Sequence, residues 1–173
     1  MQRRLLLTGL VSLGARPAFA LYDPKPDGAL AAVQGEWRGA LTYRDYSEPK
    51  RMVTLPTRLL IALSAPDELV LHYAFSDGPA KTVYSYERMR FDVAGREVTW
   101  ASGQDAKAAV YRITADDTTG EVRSLLFERR DGSQVNRFTM RLSALALTLA
   151  KDEIDDAGVA SFRNKFEFSR VRS

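Results

Sequence analysis

The stretch Gly35-Glu36-Trp37-Arg38-Gly39-Ala40-Leu41-Thr42-Tyr43-Arg44-Asp45-Tyr46 decides the fold. Trp37, Gly39, Leu41, Tyr43 and Asp45 fall on one side of an extended chain, and Arg38, Ala40, Thr42, Arg44 and Tyr46 on the other. A period of two with β-formers at both parities predicts a strand with one wet face. Gly35 can adopt backbone angles closed to other residues, and Gly39 leaves room beside the indole for a neighbouring chain. A tryptophan at the head of such a strand is placed to floor a closed barrel.

The same alternation recurs on the C-terminal side. After a turn at Ser47-Glu48-Pro49-Lys50, the residues Val53, Leu55, Thr57, Leu59, Ile61 and Leu63 share one parity. Pro56 marks an edge, a bulge or an interruption in that run. Leu69, Leu71, Tyr73 and Phe75 follow, and Ser76-Asp77-Gly78-Pro79 is a strong turn signal. The run from Lys81 to Val93 places Val83, Ser85, Glu87, Met89 and Phe91 inward and Tyr84 and Tyr86 outward, unless a bulge exchanges the sets. Strands are expected near Glu97–Ala101, Ala108–Thr114, Glu121–Arg129 and Gln134–Leu142, with turns between them that include Asp116 to Gly120.

Leu145, Leu147 and Leu149 continue after a bend at Ser143-Ala144, and an acidic loop is expected over Asp152 to Gly158. The last run sets Phe162, Asn164, Phe166 and Phe168 against Arg163, Lys165 and Glu167. About eight to ten short strands and no long helix predict an all-β fold, a single antiparallel up-and-down β-barrel whose closure removes exposed edges.

Gly35-x-Trp37, preceded by a helix-prone run from Ala29 to Gln34 and heading a series of strands, resembles the opening of a lipocalin-type (calycin) barrel. The resemblance implies that Trp37 closes one end of the barrel with a basic residue of the last strand across it, either Arg170 or Arg163. It also implies a ligand in the interior.

Residues 1–20 combine a basic start, an apolar run and an Ala18-Phe19-Ala20 end, which reads as a cleavable secretory signal. The paired Arg3-Arg4 resembles a twin-arginine signal, with a Sec signal as the alternative. The domains expected are therefore the signal at 1–20, an extended lead and short helix at 21–34, and a barrel at 35–173. Three of the 25 bases lie in residues 1–20, so the remaining 22 balance the 22 acids. The basic pI belongs to the signal and argues for neither nucleic acid nor an anionic membrane as partner. No later segment is apolar enough to span a bilayer, so a soluble periplasmic or secreted protein is expected. The chain has no cysteine, which excludes disulfides and thiolate metal sites. The fold then stands on its core alone, and roughly 150 residues suffice for one.

Chemistry-bearing residues are few. His72 is the single histidine, on the parity of Val70 and Ala74, and reads as a surface residue or a metal or haem ligand. Asp45 either begins the turn or faces the interior, and Glu87 either pairs with an arginine or faces it. An inward carboxylate could act as an acid or base. The tyrosines Tyr46, Tyr84, Tyr86 and Tyr111 read as strand residues rather than a stacking platform. Asp152, Glu153, Asp155 and Asp156 lack calcium-loop spacing and read as a solvated turn, as do Asp116 and Asp117.

The expected function is binding of a small, largely apolar molecule inside the barrel. The floor is Trp37 with Phe166 or Phe168, the walls are Leu41, Leu59, Ile61, Leu71, Tyr73 and Phe91, and the polar contacts are Tyr43, Asp45 and Glu87. No catalytic residue, metal or cofactor is assigned. The alternatives are an interaction module whose barrel is filled by its own side chains, and, third, an enzyme using carboxylate or tyrosine chemistry.

Overall fold

A computed structural model describes residues 28–103 and 107–172. The signal expected at 1–20 and the lead at 21–27 lie outside the described residues. A short helix, α1 (Gly28–Ala32), precedes ten strands: β1 (Gly35–Arg44), β2 (Met52–Ala65), β3 (Glu68–Ser76), β4 (Thr82–Asp92), β5 (Glu97–Ser102), β6 (Ala109–Thr119), β7 (Val122–Asp131), β8 (Gln134–Leu142), β9 (Ala146–Ile154) and β10 (Ala160–Arg170). Each strand pairs antiparallel with the next, and β10 returns to β1 to close a barrel.

The closing seam runs along the stretch that alternates so clearly in sequence. Trp37, Gly39, Leu41 and Tyr43 stand opposite Arg170, Phe168, Phe166 and Asn164 of β10. On the other side Trp37 faces Leu59 and Leu41 faces Leu55. Gly39 is required by this seam, because a Cβ there would lie 1.8 Å from the carbonyl oxygen of Glu167. Gly35 has φ 120°, a region that side chains avoid, and a Cβ on it would meet the Arg170 guanidinium at 2.9 Å. Pro56 is accommodated because the register of β2 with β3 begins one residue later, at Thr57↔Phe75. Its missing N–H therefore breaks no rung to β3.

Three local expectations are corrected. The turn expected from Asp116 is strand, since β6 runs on to Thr119 and Asp116 accepts two hydrogen bonds from the Arg123 guanidinium at 2.9 and 2.8 Å. A paired carboxylate behaves as part of the sheet rather than as a turn-former. Likewise β9 carries Asp152 and Glu153, and Glu153 contacts Arg44 and Lys151 at 3.3 Å and Arg163 at 3.8 Å. In β10 the register slips between Phe162 and Asn164. That bulge exchanges inside and outside, so Arg163 is 8% exposed while Phe162 is 38% exposed.

The interior is close-packed through most of its depth. Leu69, Met89, Val98, Leu125, Phe127, Met140 and Leu142 are each at most 1% exposed, and the buried residues form one cluster. Burying such side chains contributes roughly 1.5–3 kcal/mol each, which in a chain without cysteine is the main stabilising force. Substituting Gly39→Ala should cost about 3 kcal/mol or more, since the added methyl can only be housed by parting β1 from β10. Gly28→Ala, with nothing within 4 Å of its Cβ, should be near neutral. Urea denaturation of the two variants checks this contrast; equal stabilities would show the seam to be looser than described.

Candidate functional site

One end of the barrel is sealed. Trp37 is 1% exposed and donates from its indole Nε1 to the carbonyl oxygen of Val33 at 2.9 Å. The guanidinium of Arg170 lies over the indole ring, 4.6 Å from its centroid. The same group donates to the carbonyl oxygens of Gln34 (2.6 Å), Ala144 (2.5 Å) and Ala32. Leu30 and Val33, from α1 and its exit, are buried beneath. Of the two arginines weighed for this place, Arg170 occupies it, while Arg163 stacks on Tyr46 at 3.8 Å at the opposite end.

Above the floor the expected walls form part of the packed core. Leu59, Ile61, Leu71, Phe91 and Phe168 are all under 5% exposed and belong to the same packed cluster as Trp37. Two aromatic groups fill the next level. Tyr73, Phe75, Phe166 and Phe168 stack along one side, with Tyr73 5.6 Å from Phe75 and 5.2 Å from Phe166. Trp100, Tyr111, Phe127 and Phe138 pack on the other, with Trp100 4.9 Å and Tyr111 5.3 Å from Phe138.

Glu87 points inward among these rings. β4 keeps one register with β3 throughout, so no bulge reverses its faces. The partner is not an arginine: the Trp100 indole N–H donates to the Glu87 carboxylate at 3.0 Å. Burial pushes the Glu87 carboxyl up to about 7, against the opposing pull of that hydrogen bond. Burial, reinforced by Glu87, also raises the Tyr73 hydroxyl well above its ordinary value, so it remains protonated. Asp45 does not face the interior. Its carboxylate accepts the N–H groups of Ser47 (2.8 Å) and Glu48 (3.3 Å), which hold it below the usual carboxylate value. It is a turn residue. His72 is exposed on the outer face, its ring 4.9 Å from Tyr86.

Space opens at the barrel mouth, where β1 ends, β3 and β4 turn, and β10 has just passed its bulge. A cavity of about 240 Å³ is lined there by Leu41, Tyr43, Leu55, Phe75, Val83, Asn164, Tyr46 and Asp77. Its walls are mostly apolar, and Asn164, Asp77 and two tyrosines supply polarity. Tyr46, outside the strands and 83% exposed, is held over this end by Arg163, which also donates to the carbonyl oxygen of Arg44 at 2.6 Å. Asp77 is engaged by Lys81 across the β3–β4 turn. An apolar cavity of about 150 Å³ holds a benzene ring and drug-sized pockets run from roughly 300 Å³ upward. This one suits a single substituted ring or a short chain.

Of the residues expected to form the site, only Leu41 and Tyr43 line this cavity. Leu55, Phe75 and Val83 were legible as inward by parity, but their depth was not. Asn164 carried the same signal, whereas Tyr46 and Asp77 belong to turns, where alternation says nothing.

The barrel is shared with solved structures. Rv2717c from M. tuberculosis superposes with a TM-score of 0.60 at 13% identity, over 86% of this chain and all of its own. The S-type phycobiliprotein lyase CPES from Guillardia theta gives 0.56 at 8% identity, over 83% of this chain and 91% of its own. The fold is a ten-stranded, calycin-like barrel. No protein-family model matches the sequence, and no curated protein does.

The buried carboxyl has a measurable consequence. Glu87 ionises near 4.5 when unfolded and near 7 when folded. Between those values the folded state keeps a proton that the unfolded state has released, so stability falls as pH rises from about 4.5 to about 7 and is flat above. The full loss is a few kcal/mol at most, at about 1.4 kcal/mol per unit. Glu87→Gln keeps an acceptor for Trp100 without the charge and should remove that slope in urea titrations between about pH 5 and about pH 8. An unchanged slope would place its origin elsewhere.

Proposed function

We propose that the protein binds a small, largely apolar molecule at the barrel mouth, between Leu41, Leu55, Phe75 and Val83. Tyr43 and Asn164 fix its orientation and Tyr46 covers it. The observation that carries this reading is the cavity of about 240 Å³ on an aromatic floor, lined by inward side chains of β1 to β4 and β10 that stop short of meeting. Displacing water from apolar walls supplies affinity, and the few polar groups supply selectivity. Export by the segment at 1–20 belongs to the same proposal and places the ligand outside the cytoplasm. A phycobiliprotein lyase with the same architecture shows one use to which such a barrel is put.

The packed interior favours a second reading, a filled barrel that acts through its surface. A single titration separates the two. The wild-type protein should bind 1-naphthol with a stoichiometry of one, and Phe75→Trp or Leu41→Trp, which fill the mouth, should weaken it at least about tenfold. Native mass spectrometry of protein from its own host should show a stoichiometric adduct, on a chain beginning at Leu21. A bare chain that binds the probe no better than its mouth-filled variants would leave the filled barrel as the answer.

A further inference from the structure

We propose that the outer face of β1 to β4 carries a separate site for a small anionic molecule with a flat apolar body. Strand register builds it. Arg38 stands opposite Arg58, Arg58 opposite Ala74, and Ala74 opposite Tyr84, in one row across four strands. The adjacent row brings Leu60 opposite His72. Ala74 is the short side chain among longer ones, and a hollow of about 250 Å³ opens there.

Among the described residues, Arg38 and Arg58 are the two bases that strand register sets directly opposite each other. Arg44, Arg90, Arg123 and Arg137 each meet an acid. Arg38 and Arg58 have no ion pair among the described residues, although like charges directly opposite on neighbouring strands repel. Two adjacent guanidiniums suit a carboxylate or phosphate, which accepts their N–H groups in parallel. Tyr84, 78% exposed, and Leu60, 47% exposed, offer apolar surface beside them for an aromatic or short acyl body. Glu36 also lines the hollow, but in the Leu60 row, which assigns the anion to the arginine end. The site is separated from the mouth cavity by the barrel wall, so it stands without the function proposed above.

His72 lines the hollow and is the single histidine, so its imidazole NMR signals report on this place alone. Titration with phenyl phosphate should shift them saturably, inorganic phosphate at least about tenfold more weakly, and benzyl alcohol not at all. Arg58→Gln should weaken phenyl phosphate at least about tenfold. Ala74→Leu, which fills the hollow with both arginines intact, should abolish the saturable shift, whereas Leu41→Trp should leave it unchanged. The proposal is overturned by no saturable shift at about 10 mM phenyl phosphate, by equal affinity for inorganic phosphate, or by wild-type affinity in both hollow variants. Binding to phosphatidylglycerol vesicles without binding to phenyl phosphate would also overturn it, in favour of a membrane surface.

Discussion

The clamp of Arg170 on Trp37 is the constraint on which the rest of the barrel depends. One guanidinium covers the indole and donates to carbonyl oxygens of the α1 region (Ala32, Gln34) and of the β8–β9 turn (Ala144). It thereby ties the first and last strands, the cap helix and a distant turn to a single ring. The carbonyls at the end of α1 lack helical partners, and satisfying them with a charged donor is worth more than with a neutral one. A five-residue helix has little stability of its own, and it stays because the floor holds it.

That closure determines where function can reside. Trp37 is sealed below, and two aromatic groups pack across the middle of the barrel. Binding is displaced upward to the level where β3 and β4 turn, and the mouth accepts something ring-sized. The aromatic filling also explains Glu87. A carboxylate surrounded by rings, with one indole N–H as its hydrogen-bond donor, gives up its charge more readily than it would in water.

Much of this was legible in the sequence, and the rest failed for identifiable reasons. Alternation after Trp37 carried the all-β barrel and an outer position for His72, because side-chain direction in a strand has a period of two, while the inward side of β4 stayed open until its unbroken register with β3 was known. Bulges break that inference without leaving a compositional mark, which is why the alternation sets Phe162 on the face of Phe166 and Phe168 although Arg163 is the buried residue of the two. Acids misled in a related way: Asp116 and Glu153 resemble turn residues until Arg123 and Arg44 on other strands, and Lys151 two residues along β9, are known to engage them. Parity also carries no depth. It could not separate Leu59 and Phe91, which are core, from Leu55 and Phe75, which border open space, because that difference is set by how far each strand reaches past its neighbours.

The two faces of the barrel wall follow from one another. Inward positions on β1 to β4 below the mouth are committed to packing, and an arginine without an ion pair on the outer face costs the fold little because water solvates it. Two such arginines in direct opposition are a different matter, since each raises the electrostatic potential felt by the other and neither gains from the contact. Placing an acid opposite either one would relieve that repulsion, and the same strands bear acids at Glu36 and Glu68 in other rows. The pair is therefore a local concentration of positive potential on a chain whose bases and acids balance outside residues 1–20, which is the condition under which an anion gains most by arriving.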